Sequence, residues 1–180
     1  MTRLFAFLRA INVGGRVVTM AALRGHFAAL GFTAVESFIA SGNVIFTTRA
    51  RDTAALTGKI EAHLHKVLGY EVHTFLRTET ELAAVARARP FSARRLETAR
   101  AFCVGFMAAP LSPAAARAVV ALGTDIDAFH VDGREIYWLC LKGQSESKFT
   151  NNFLEKTIGG RATFRNMTTV TKLVARHLKD

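Results

Sequence analysis

The chain has 180 residues, half of them hydrophobic and 21% charged, which is the composition of a globular protein and excludes a disordered one. Lys and Arg number 24 against 14 Asp and Glu, a formal charge of +10 that points toward a polyanionic partner, nucleic acid included. No run reaches the ~18 consecutive apolar residues that a membrane span needs, so no membrane partner is expected.

The charge has a second source. The basic residues are mostly Arg and the small ones mostly Ala, as a GC-rich coding sequence gives without any polyanion, and there is no basic tail. Arg87, Arg89, Arg94, Arg95 and Arg100 form the densest cluster, around Pro90, and read as a solvated connection. The opening apolar stretch is broken at Arg9 and is too short for a signal peptide. Cys103 and Cys140 lie in apolar strand-like runs and read as free buried thiols of a reducing cytoplasm, although sequence does not give the separation on which a disulfide depends.

Residues 3–10 read as a buried strand. After a loop holding Gly14 and Gly15, Met20, Leu23, Phe27 and Leu30 recur at helical spacing, and Gly31 supplies the left-handed stop. Residues 33–40 read as a strand, Ser41-Gly42-Asn43 as a tight turn and 44–48 as the hairpin partner. Leu56, Ile60, Leu64, Val67 and Leu68 mark a second amphipathic helix that Gly69 ends, and 71–77 a fourth strand. This β-α-β-β-α-β order is the split-βαβ, ferredoxin-like arrangement.

Similar parts follow. Leu82, Val85 and Ala86 share a face of a short helix that Pro90 terminates, and 99–108 is a strong strand. Ser112-Pro113 reads as a cap and first turn, with Val119, Val120 and Leu122 as the apolar face. Residues 126–131 and 135–141 form a hairpin around Asp132-Gly133. Phe149, Phe153, Leu154 and Ile158 define a helix stopped by Gly159-Gly160, and Val170, Leu173, Val174 and Leu178 define the last one. The expected fold is α+β: two intimately packed ferredoxin-like halves with antiparallel sheets, residues 1–78 and 79–180, or one single domain. No sequence repeat and no flexible linker is visible.

Two polar runs stand out: Leu8-Arg9-Ala10-Ile11-Asn12-Val13-Gly14-Gly15-Arg16 and Ile39-Ala40-Ser41-Gly42-Asn43-Val44-Ile45-Phe46. With Leu30-Gly31-Phe32, and with Gly143, Ser147-Lys148 and the stretch from Thr163 through Arg165-Asn166 to Thr169, Lys172 and Leu173, they resemble the domain-of-unknown-function 1697 family over essentially the whole chain. The resemblance implies a compact fold of two ferredoxin-like units and carries over no activity. The chain departs from the family pattern at Ala10, usually Gly, and at Met167, often Trp. Ala10 argues against a backbone role needing positive φ there, and Met167 against stacking.

Chemistry has two candidate places. Asn12 to Arg16 joins a strand end to a helix start, where amides and a helix dipole converge on an anion. Gly14-Gly15 allows close approach, and Arg9 and Arg16 supply a charged fork. The competing reading is a tight turn with Arg9 paired to a carboxylate, since the run matches neither common phosphate-loop spacing. Near the C-terminus, Arg165, Thr168, Thr169 and Lys172 crowd the start of the last helix with donors and no acid, and Lys148 opens the helix before. Asn166 reads as an N-cap for the Thr169 amide, and Asn43 as turn chemistry unless it faces the Gly-Gly loop.

No metal site is expected, because His63 and His65 fall about 200° apart on a helix. No cofactor is implied. Ser145 to Lys148 has a Ser-x-x-Lys spacing without the other motifs of such enzymes. Trp138 and Tyr137 should face opposite ways, one outward where a base could stack. Three functions stay open: a binding protein for a phosphate- or carboxylate-bearing small ligand, a nucleic-acid binder, and a phosphate or acyl-phosphate hydrolase using Arg and Asn. The catalytic residues and the oligomeric state are not specified by the sequence.

Overall fold

The computed structural model describes residues 1–178. The chain divides into two compact units between Leu82 and Ala83. Each holds a four-stranded antiparallel sheet packed with helices. No helix among the described residues is long and apolar enough to cross a membrane.

The first unit runs β1 (Thr2–Leu8), α1 (Met20–Ala29), β2 (Thr33–Ser37), β3 (Asn43–Thr48), α2 (Thr53–Leu68) and β4 (Thr74–Thr78). Its strand order is β2-β3-β1-β4. β1 is apolar from Leu4 to Leu8 because it lies between two partners, with Leu4 opposite Phe46 on one side and Thr78 on the other. Leu4, Ala6 and Leu8 alternate onto the face that α1 and α2 cover with Leu23, Phe27, Leu56, Ile60 and Leu64. Full burial of each large aliphatic contributes roughly 1.5–3 kcal/mol.

Asp52 starts α2 by accepting from the amides of Ala54 and Ala55 at 2.9 and 3.0 Å, and Gly69 ends it at φ 79. β2 stops at Ser37, short of the expected 40, and a register shift falls between Thr33 and Glu36. Ala34 at φ 48 and Ile39 at φ 51 interrupt the extended run. β4 begins at Thr74 rather than 71.

From α3 (Glu79–Arg87), in which the boundary lies, the second unit runs α4 (Ala93–Thr98), β5 (Ala101–Met107), α5 (Pro113–Val120), β6 (Asp127–Asp132), β7 (Glu135–Cys140), α6 (Asn151–Ile158), β8 (Ala162–Asn166) and α7 (Met167–His177). Its strand order, β6-β7-β5-β8, repeats that of the first unit. Two elements correct the expectations. The Arg-rich connection contains α4, which Ser92 caps. A strand, β8, precedes the last helix, so Arg165 belongs to that strand, while Asn166 both ends it and caps α7.

Other corrections are smaller. Val120 and Phe153, expected on apolar faces, are exposed. Tyr137 and Trp138 are both buried, so neither offers an outward face. Ser147-Lys148 does not open α6, which Thr150 caps. Ser147 instead donates to Asp127 Oδ2 at 2.8 Å, and the other carboxylate oxygen accepts from Trp138 Nε1 at 2.8 Å. Ser147 thereby pins the loop after β7 to β6. Cys103 and Cys140 are free and buried.

Candidate functional site

In the first unit the two polar runs lie side by side. Leu8 N–H donates to Gly42 O at 2.8 Å. A Cβ on Gly42 would stand 2.4 Å from Ile11 Cγ2, so only glycine fits. Asn12 Nδ2 reaches Ala40 O at 3.4 Å and its Oδ1 accepts from Val18 N at 2.6 Å, clasping the loop across its base. Asn43 is buried and bonds Phe38 O at 3.0 Å and Ser41 Oγ at 2.8 Å; it holds the turn.

The Gly-Gly loop has an unusual backbone. Ala10, Asn12, Gly14 and Gly15 all have positive φ, at 57, 56, 61 and 80°. Ala10 therefore occupies the conformation that its residue type argued against, at a cost of about 1–2 kcal/mol. Gly14 and Gly15 are the centre of a turn closed by Arg16 N–H to Val13 O at 3.2 Å, with the positive φ pair of a type I′ turn. Space beside both glycines is open for at least 4 Å. Their amides make no hydrogen bond among the described residues.

Arg16 lies with its guanidinium carbon 4.1 Å from the centroid of the Tyr70 ring. Stacking on a ring face restrains the guanidinium and leaves its in-plane N–H donors accessible. Among the described residues those donors have no hydrogen-bond partner. The Arg9 backbone is tied to His73 O at 2.8 Å. Tyr70 had no signal in the sequence, because it follows the helix stop at Gly69 and meets Arg16 only through the fold.

In the second unit Arg165 is buried and donates from Nη1 to Thr163 Oγ1 and Phe164 O, both at 2.9 Å. Burial brings its guanidinium down to about 10, still charged at neutral pH. Asn166 caps α7 by accepting from Thr168 N at 2.9 Å, one residue earlier than the expected Thr169. Lys172 and Thr168 line one cavity of about 500 Å³ with Arg89, Leu96 and Phe102. Lys148 is exposed in the loop before α6. Arg89 and Phe102 were hidden to sequence reading within the Arg-rich connection and a strand.

Among the described residues, no group of three His, Cys, Asp or Glu is placed to hold a metal ion. A family model, that of a protein of unknown function (DUF1697), matches residues 1–137. The chain belongs to the DUF1697 family. The match takes in the runs at 8–16 and 39–46, whereas the resembling residues from 143 to 173 lie beyond it. This DUF1697 chain is similar in structure to a conserved bacterial protein from Streptococcus pneumoniae, with a TM-score of 0.73, 26% identity and 99% of each chain covered. Among curated proteins none matches it.

Proposed function

We propose that this DUF1697 protein binds a small phosphate- or carboxylate-bearing ligand on the loop from Asn12 to Arg16. One observation carries the reading. The same strand-to-helix step is made twice in the chain, over residues 108–112 between β5 and α5 but over 9–19 between β1 and α1. The topology therefore does not require the longer loop, nor the left-handed backbone at Ala10 and Asn12. Strain and length beyond what a connection needs are characteristic of loops kept for binding.

The chemistry agrees. Two unbonded glycine amides, followed in the chain by an arginine whose guanidinium is restrained on Tyr70, offer donors to an anion. Binding is favoured over hydrolysis because Asn12 and Asn43, the side chains available to position water, both hold backbone groups of the loops.

The test is calorimetry with inorganic phosphate, nucleotides, acyl phosphates, short carboxylates and RNA and DNA oligomers, on the wild type, Arg16→Gln and Gly15→Ala. Saturable binding of a small anion, weakened roughly tenfold or more by Arg16→Gln with the melting temperature unchanged, supports the reading. Affinity for every small anion unchanged in Arg16→Gln overturns it, and binding of oligomers alone that fades with salt overturns it in favour of a nucleic-acid surface.

A further inference from the structure

The second unit contains a separate cavity of about 500 Å³, within the size range of small-molecule sites. Met167, Leu96 and Phe102 make its apolar part, and Arg89, Thr168 and Lys172 its polar part. Among the described residues no carboxylate lines it. The first turn of α7, which borders it, also lacks an acid.

Arg89 and Phe102 are held in place. Arg89 Nη1 donates to Ala88 O at 2.8 Å and Ala86 O at 3.2 Å, which closes the end of α3 and fixes the guanidinium. Its other donors have no hydrogen-bond partner among the described residues. Nor have the ammonium group of Lys172 and the hydroxyl of Thr168, which lie four residues apart and so on one side of α7. The Phe102 ring is braced by Phe91, edge-on at 6.0 Å, and by Tyr137 at 6.3 Å. Arg95 stands over Phe91 in turn, 5.9 Å from its centroid.

A cavity lined by a braced aromatic ring, two cations and a hydroxyl is complementary to a flat ring bearing one anionic group. We infer that this cavity is a second binding site, for a planar aromatic molecule carrying a single phosphate or carboxylate. The ring packs against Phe102, Leu96 and Met167. The anion sits between Arg89 and Lys172 and accepts from Thr168. Nucleoside monophosphates and aryl carboxylates share this chemistry, and the site does not depend on the Gly-Gly loop.

The experiment titrates the full chain with 1-naphthyl phosphate, 2-naphthoate and adenosine monophosphate. Naphthol supplies the ring without charge, and inorganic phosphate the charge without a ring. The expected result is saturable binding of at least one aromatic anion that persists in Arg16→Gln, with naphthol and phosphate each much weaker in that variant. Lys172→Gln and Arg89→Gln should each weaken it roughly tenfold or more, and Arg16→Gln should leave it unchanged. Lys172 is exposed, so Lys172→Gln keeps the melting temperature and serves as the decisive variant if Arg89→Gln loosens α3. Whichever aromatic anion binds more tightly, phosphate or carboxylate, identifies the head group. No saturable binding of any of the three, undiminished binding in Lys172→Gln, or loss that follows Arg16→Gln would each overturn the assignment.

Discussion

Arg77 and Arg165 are counterparts. Each is the fourth residue of the last strand of its unit, each is buried, and each donates from Nη1 to the carbonyl just before it, Leu76 at 2.8 Å and Phe164 at 2.9 Å. A second pair extends the match. Glu61 of α2 accepts from the amide of Thr74 at 2.7 Å, and Glu155 of α6 from that of Ala162 at 3.0 Å. Thr74 and Ala162 open those same strands. With the shared strand order, these contacts describe one arrangement used twice. It is invisible as a sequence repeat because the link from helix to strand differs in length, from Glu61 to Thr74 against Glu155 to Ala162, and so does the first loop of each unit.

The two glutamates should differ in consequence. The Glu155 side chain is 4% exposed and that of Glu61 35%. Replacing Glu155 with Ala strands a buried amide and should cost about 2–3 kcal/mol, against about 1 kcal/mol or less for Glu61→Ala. Urea unfolding midpoints at equal slope measure both. Equal losses would mean that the carboxylate does not hold the start of β8.

Ala10→Gly should stabilise the protein. The residue sits at φ 57, which Cβ disfavours and glycine does not. The expected gain is about 1 kcal/mol, or roughly 2–4 °C in melting temperature for a chain of this size. A loss of stability would show that the alanine methyl group contributes packing worth more than the strain.

What the sequence makes legible follows from range. Helices and caps depend on near neighbours, so Leu56-Ile60-Leu64 and the stops at Gly31 and Gly69 are readable, as is the cap pair Ser112-Pro113. β8 is short, and its Thr163-Phe164-Arg165 run carries a buried arginine where a strand is expected to be apolar. That one residue disguised it as the start of a helix. The Gly-Gly loop was legible as an oddity of composition, but its left-handed Ala10 was not, since the residue type argues the other way. The stack of Arg16 on Tyr70 depends on where α2 ends in space, which local pattern does not encode.

The cysteines should be inert in the folded protein. Burial pushes the Cys103 thiol up to about 11, only partly offset by Gln144 Nε2 donating to its sulfur at 2.9 Å. Burial also raises Cys140, whose thiol donates to Gly143 O at 3.2 Å. At pH 8 Cys103 is then overwhelmingly the thiol, and its burial closes access as well. Reaction with an aromatic disulfide reagent should be slower by orders of magnitude in buffer than in urea. Fast labelling of both thiols in buffer would mean that β5 and β7 open readily.

Stability should fall on mild acidification through His26. Its ring stands 5.7 Å from that of His63, and burial, with a smaller contribution from His63, lowers its pKa below the ordinary 6.5. The unfolded chain therefore takes up this proton at a higher pH than the folded one. Between 6.5 and the lowered value the unfolded state binds more protons, so stability is full above pH 6.5 and declines as the pH drops below it. Melting temperatures measured from pH 7.5 to 5.5 should fall more in the wild type than in His26→Gln, in which this proton is absent and the remaining histidines are unchanged. Parallel curves would assign the acid sensitivity to groups other than His26.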